Sequence, residues 1–453
     1  MRVAWFSVLN TDKAKPSGSA SAYFTDQVLP ALSSQFEVEL FHDSHSILAG
    51  YPTFHYLMAW RRHRLKPFDA FFYQIEDLEQ ANFSRIHAGL VPGVTLFHDF
   101  ALAHDLPECL HNSPWKSVVD RFIKGSHVAW PTRNLDYPQE IPLAVREASM
   151  SLLPLFTSER NVIEYGRNVS SRLIASATAA VTQIPHAMCL PYPVDFEFLA
   201  SCDNPDTLAD SSSPLRIGFC GSPRIEHRAH KLLHALSQLE CSYRLVWLID
   251  ENECGEARAL AQEYRISDIE FVSQRSPYRW KQLVRSLDVA VHLLFSAFGQ
   301  TGPYLQISMA RGLPCIVTNF GAEQGLPESV VFKTTPGDRE AVEILETLRF
   351  VSKELPLHQL ANRTREFSRE FFERSTVTRE FESLFSVYAR YLRNMLREWE
   401  QFEQSAVQSC VGESRACFEK RLDSTGDSWW QSGSVLWETT VKSELQELGL
   451  INA

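Results

Sequence analysis

Phe298-Gly299-Gln300-Thr301-Gly302-Pro303 carries the strongest fold signal in the chain. An apolar run over residues 288–294 precedes it and reads as a strand. A helical run over residues 304–311 follows and closes on Gly312-Leu313-Pro314, and a second apolar strand comes at once, Cys315-Ile316-Val317-Thr318. Strand, glycine loop, short helix and strand make one βαβ unit, with its loop at the carboxyl end of a strand. Backbone N–H groups without helical partners gather where such a loop enters a helix, and an anion can sit there.

The same alternation extends outward from this unit. Residues 2–9 are a compact apolar run, followed by the small-residue loop Pro16-Ser17-Gly18-Ser19-Ala20. Tyr23, Phe24, Val28, Leu29 and Leu32 then recur at helical spacing. Short apolar runs return at residues 36–41, 70–73 and 94–97. A polar stretch rich in Ser, Asp and Pro covers residues 203–214, and strand-like runs resume at 216–220, 244–249 and 269–272. This pattern predicts an α/β protein with parallel sheets and helices on both faces. A chain of 453 residues is too long for one ordinary core. The expected division is two facing Rossmann-like domains, 1–195 and 215–374, joined by a linker at 196–214. Amphipathic helices over 375–405, carrying Phe381, Leu384, Phe385 and Tyr388 at helical spacing, are expected to pack on the body. The tail, 406–453, has little periodicity, although Trp429, Trp430 and Trp437 suggest that it docks.

Composition narrows the function classes. There are 55 acidic and 44 basic residues, a net charge of −11, which argues against a nucleic-acid binder. No apolar stretch reaches the ~18 residues of a membrane span. The N-terminus lacks the apolar core and cleavage site of a signal peptide. The nine cysteines form no CxxC pair, so reduced thiols in a cytoplasmic protein are expected, with no zinc site. The densest basic cluster is Trp60-Arg61-Arg62-His63-Arg64-Leu65-Lys66. Such a mixture suits peripheral contact with an anionic membrane at its inner face, or a lipid-phosphate acceptor. A solvated helix face is the competing reading.

Several ordered motifs resemble retaining glycosyltransferases of family four, closest to a bacterial mannosyl- and rhamnosyltransferase-like branch. The branch opens with "SGIADYS…LLPAL", where this chain has Ser17-Gly18-Ser19-Ala20-Ser21-Ala22-Tyr23 and Val28-Leu29-Pro30-Ala31-Leu32. Its "YQ…H…PGVVVLHD" is similar to Tyr73-Gln74, His87 and Pro92-Gly93-Val94-Thr95-Leu96-Phe97-His98-Asp99. Its "GET…LLR…GKPVIVSDVG" is similar to Gly299-Gln300-Thr301 and the run from Gly312 to Gly321. The resemblance covers roughly residues 1–374 and leaves the tail out. It implies the GT-B fold, a nucleotide-sugar donor held mainly by the second domain and an acceptor held mainly by the first. It also implies retention of anomeric configuration without a required metal or other cofactor. Gln300 stands where many members carry a glutamate, and the usual Arg and Lys after the first glycine of the second domain are out of register.

Without a metal, the leaving diphosphate needs cationic side chains and helix-terminal amides. Arg224 and Arg228 follow the strand-end Gly221 and are the candidate diphosphate ligands, a solvated loop being the alternative. Gly299, Thr301 and Gly302, with the amide of Gln300, are candidates for the distal phosphate and the sugar. Gly18 offers a close backbone approach from the opposite domain. His98, at a strand end beside Asp99, is a candidate to orient a sugar hydroxyl or carry a proton. With Gln300, these two make the candidate catalytic set. The expected activity is hexosyl transfer from a nucleotide sugar to a glycan, glycolipid or other cell-envelope acceptor. A non-catalytic binding or scaffold relative is the alternative. A dinucleotide-dependent oxidoreductase is disfavoured, since neither glycine loop is G-x-G-x-x-G with an acidic residue ending the next strand.

Overall fold

The computed structural model describes residues 1–11, 17–44, 47–48, 50–100, 144–166, 187–200, 214–273, 275–296, 298–299, 302–353 and 358–425. Residues Met1–Ala389 form one compact unit that contains both sheets. Residues Arg390–Ala453 form a second unit, helical as far as Thr425.

The first sheet has strands β1 (Arg2–Phe6), β2 (Glu37–His42), β3 (Thr53–His55), β4 (Ala70–Ile75), β5 (Val94–Phe97), β6 (Leu153–Phe156) and β7 (Met188–Cys189). Their order is β3-β2-β1-β4-β5-β6-β7, and every neighbouring pair is parallel. Strands covered by helices on both faces read as unbroken apolar runs rather than alternating ones. Accordingly β1, β4, β5 and β6 are buried along their whole lengths. The filling is aromatic: Trp5 and Phe72 have ring centroids 4.3 Å apart, and Phe381 of the Arg374–Thr425 helix lies 5.0 Å from Phe72. Phe385 of the same helix lies 6.2 Å from Phe72. A single helix runs from Arg374 through residue 405, where the periodic pattern fades, and on to Thr425. The three tail tryptophans lie outside the described residues.

The second sheet has β8 (Leu215–Cys220), β9 (Tyr243–Leu248), β10 (Ile269–Val272), β11 (Val289–His292), β12 (Cys315–Thr318) and β13 (Phe332–Thr334). Its order is β10-β9-β8-β11-β12-β13, again all parallel. Ile217, Phe219, Trp247, Val291 and Ile316 meet Leu232, Leu233, Ile344 and Leu348 from flanking helices in one core cluster. In both sheets the strand order reverses beside the first strand of the sheet. Ligands of open α/β sheets gather at that point, beyond the carboxyl ends of the strands. Phe196–Ala200, at the start of the stretch expected as linker, forms a short helix, and Val194 just before that stretch bridges to Glu373. No helix among the described residues is long and apolar enough to cross a membrane.

Candidate active site

The carboxyl ends of the two sheets enclose a cleft of about 590 Å³, within the ~300–1,000 Å³ typical of small-molecule sites. The second sheet contributes its end in three loops. After β8, Gly221 leads into Ser222, whose hydroxyl donates to Glu253 Oε1 at 2.8 Å and accepts from the Arg224 amide at 3.3 Å. Arg224 lines the cleft, half-exposed, with Glu253 at 3.6 Å. Arg228, the other expected diphosphate ligand, is placed differently. It sits in the left-handed region (φ 56°), and its buried guanidinium forms an ion pair with the buried carboxylate of Glu340. A charge this deeply buried must be paired within the protein, so Arg228 ties its loop to the Glu340–Lys353 helix.

A cation that sequence reading missed faces the cleft instead. Arg275 follows β10 and pairs with Asp250 at 3.2 Å. The signal was available, because the loop after a recognisable strand occupies the same strand-end position as Arg224. The third loop is the glycine stretch. Gly299 and Gly302 line the cleft, and the Gly299 amide donates to Ser296 Oγ at 2.8 Å. Gln300 and Thr301 lie outside the described residues. Gly302 has φ 64° and ψ −159°, a backbone conformation that only glycine adopts readily, and it caps the Pro303–Arg311 helix without any side-chain hydrogen bond. Pro303 at the first helical position has no N–H to satisfy, so the amides behind it are the first-turn donors that lack an intrahelical acceptor.

The first sheet closes the cleft with a different chemistry. Ser19 caps the Ala20–Gln35 helix by accepting from the Ala22 amide at 3.1 Å. Glu76, just past β4, adds a carboxylate to the same helix start. It accepts from the Ala20 amide at 2.7 Å and from the Ser19 hydroxyl at 2.6 Å. Gly18 packs its backbone against the opposite half: a Cβ there would lie 2.4 Å from the Arg275 carbonyl oxygen. The close inter-sheet approach expected at Gly18 is thus to protein backbone. Asn10, Asp26 and Tyr278 form a second tie across the halves, with Tyr278 donating to Asp26 and Asn10 Nδ2 reaching the same carboxylate at 2.7 Å.

His98 and Asp99 both line the cleft beyond β5. His98 is buried with both ring nitrogens engaged, Nε2 at 2.8 Å from the Gln74 amide and Nδ1 at 3.0 Å from the Tyr192 hydroxyl. Burial pushes its pKa down to about 3, so at physiological pH it is the neutral imidazole, with a single ring proton, and not the imidazolium. Asp99 accepts from the Asp77 amide at 3.0 Å. Burial, then the neighbouring Glu76 and Asp77 carboxylates, push Asp99 up to about 7. Of the two residues it is the one that titrates near neutrality. Tyr192 and the carboxylates Glu76, Asp77, Glu79, Asp250 and Glu253 also face the cleft and escaped sequence reading. Among the described residues no three His, Cys, Asp or Glu side chains are grouped to hold a metal ion.

No family profile matches the chain, and no curated protein matches it in sequence. Solved structures do resemble it. Sucrose-phosphate synthase from Thermosynechococcus elongatus superposes with a TM-score of 0.60 at 14% identity, covering 86% of this chain and 100% of that one. Anabaena HepE in complex with UDP and glucose gives 0.57 at 13% identity, covering 85% and 100%. A glycosyltransferase from Rickettsia africae gives 0.56 at 12% identity, covering 85% and 97%. With two parallel Rossmann-like sheets facing one cleft, these likenesses define the fold as GT-B.

Proposed function

We propose that the chain is a retaining, metal-independent glycosyltransferase of the family-four type that moves a hexosyl group from a nucleotide sugar to a glycan, glycolipid or other envelope acceptor. The observation that carries this reading is the uncapped start of the Pro303–Arg311 helix, in one cleft with Arg224 and Arg275. Unpartnered helix-terminal amides and two guanidinium groups are what a departing diphosphate requires. HepE, which shares the fold, has been solved with UDP and with UDP-glucose. The diphosphate would lie against Arg224, Arg275 and the Gly299–Gly302 loop, with the acceptor on the Asp99 side.

Calorimetric titration with a panel of nucleoside diphosphates and nucleotide sugars tests the reading directly. Arg224→Ala/Arg275→Ala should weaken nucleoside-diphosphate binding by about 1.5–3 kcal/mol per lost contact. Unchanged affinity in a folded double variant would refute the placement. A non-catalytic binding protein is the second reading. It is favoured by the carboxylates already beside both arginines, Glu253 at 3.6 Å from Arg224 and Asp250 at 3.2 Å from Arg275. Turnover of any donor by the purified wild-type protein eliminates it.

Membrane contact through residues 60–66 also belongs to this proposal, in a narrowed form. Arg62 pairs with Glu39 at 2.9 Å and lies over the Phe54 ring. Lys66 pairs with Glu37 at 2.6 Å, and His63 is buried. The exposed remainder is Arg61 and Arg64 with Leu57, Met58 and Leu65. Arg61→Glu/Arg64→Glu should abolish salt-sensitive sedimentation with anionic vesicles. Equal binding to neutral vesicles would reject the electrostatic contact.

A further inference from the structure

We propose that Tyr192 is the hydrogen-bond donor that the first half of the cleft offers to an oxygen of a bound sugar, and that Gln74 and His98 are positioning residues that aim its phenol proton. The proposal deepens the glycosyltransferase reading and rests on it for the identity of the ligand.

Two groups beside Gln74 have fixed hydrogen-bonding roles. An indole N–H can only donate and a backbone carbonyl can only accept. Gln74, wholly buried at the end of β4, has one terminal amide atom 3.2 Å from Trp5 Nε1 and the other 3.2 Å from the Ser21 carbonyl oxygen. The atom facing Trp5 must therefore be the oxygen, where it also accepts from Ser7 Oγ at 3.0 Å and Thr25 Oγ1 at 2.7 Å. The atom facing Ser21 is then the nitrogen, and it donates to His98 Nε2 at 2.8 Å. A neutral imidazole that accepts at Nε2 carries its proton on Nδ1. His98 Nδ1 is 3.0 Å from the Tyr192 hydroxyl, with the two rings stacked at 5.4 Å, so the imidazole donates and the phenol oxygen accepts. Thr157 is a further hydrogen-bond partner of the Tyr192 side chain. With the imidazole donating to it, the phenol oxygen keeps its own proton for a partner other than His98, and Tyr192 lines the cleft where an occupant can supply one. Burial raises Tyr192 well above the ordinary tyrosine value, so the proton stays in place through the physiological range.

His98 is thus the centre of a fixed relay, Gln74 to His98 to Tyr192, that sets the direction of one hydroxyl. Three measurements test it. Long-range 1H–15N correlation on protein labelled at histidine should show His98 as the Nδ1–H tautomer, constant from pH 6 to 8, its signal assigned by its absence from His98→Asn. An Nε2–H tautomer in the wild type overturns the proposal, and this readout needs no ligand. Tyr192→Phe keeps the ring and should lower kcat/KM for the sugar donor by about 10- to 100-fold with little change in Tm, UDP-glucose being the probe. Unchanged kcat/KM overturns the donor role. Gln74→Glu presents only acceptors to His98, so it should move the proton to Nε2 and turn the Tyr192 hydroxyl back toward Nδ1. It should reproduce the Tyr192→Phe defect without removing any atom from the cleft. A switched tautomer with full activity overturns the aiming. If Gln74→Glu does not fold, the wild-type tautomer and Tyr192→Phe still decide. If wild-type protein takes up no UDP-glucose, the glycosyltransferase reading fails for that donor, and the tautomer alone decides the relay.

Discussion

Two helices point their first turns into the same cleft and are finished there in opposite ways. The Ala20–Gln35 helix is capped by Ser19 and receives the Glu76 carboxylate on its amides and hydroxyls. The Pro303–Arg311 helix begins at Gly302 with no side-chain cap. Both starts carry the same partial positive charge and the same orphan donors. In the first half of the molecule the chain supplies the anion, and in the second half the N-cap is a glycine, which has no side chain to supply one. A strand-to-helix turn at the carboxyl end of a parallel sheet is therefore not an anion site by position alone; what already occupies its amides decides. The arginines divide likewise. Arg228 is satisfied internally by Glu340, whereas Arg224 and Arg275 face the cleft.

The largest expected effect breaks the internal half of that division. Glu340→Ala leaves the Arg228 guanidinium buried and unpaired and should cost about 3–5 kcal/mol in stability. Arg228→Ala strands the carboxylate and should cost a similar amount. Chemical denaturation measures both. In whatever fraction remains folded, nucleoside-diphosphate affinity should match the wild type. A loss in affinity larger than that of Arg224→Ala, without loss of stability, would return Arg228 to the binding site.

Exchanging the finish of the first helix gives a smaller effect. Glu76→Ala removes an acceptor from the Ala20 and Ser21 amides and from two hydroxyls. It should cost about 2–3 kcal/mol, a sum of lost cap and orphaned donors. It should also turn that helix start into an anion site, so that sulfate or phosphate raises the Tm of Glu76→Ala more than that of the wild type. Equal responses to the anion would mean that the two helix starts differ by more than their caps.

The sheets were legible because their signal is local: fully buried parallel strands are continuous apolar runs bounded by small or polar residues, and the runs at 2–9, 70–73, 94–97 and 315–318 need no partner to be recognised. Helix Pro303–Arg311 and its glycine entry were legible for the same reason. The site was legible only where it coincides with a strand end, as at His98, Asp99 and Arg224. Partner assignments were not. Nothing near Arg228 in sequence announces Glu340, 112 residues away. Nothing near His98 announces Tyr192, 94 residues away. A histidine's chemistry is set by what its two nitrogens meet, and those contacts are made by the fold. The segment 60–66 shows the same limit, since its charge count was plain but the Glu37 and Glu39 partners come from β2.

The last comparison concerns Asp99, where the carboxylates gathered on the first half of the cleft act on one another. Its carboxyl is pushed up to about 7 from an ordinary 3.8 by burial and by Glu76 and Asp77. A raised carboxyl binds its proton more tightly in the folded state than in the unfolded one. Its contribution to stability is therefore fully present below 3.8, declines as pH rises toward 7, and is gone above that. Asp99→Asn fixes the uncharged state. It should leave Tm unchanged at pH 3.5 and raise it at pH 8, with the divergence developing between those limits. Asp99 also accepts the Asp77 amide, and the carboxamide oxygen of the substituted side chain can still accept it, so the comparison isolates charge from hydrogen bonding. Parallel Tm curves for wild type and Asp99→Asn across that range would place the ionised carboxylate in a well-solvated setting. Asp99 could then hold no proton for chemistry near neutrality, and the acid–base capacity assigned to this side of the cleft would have to reside in another of its carboxylates.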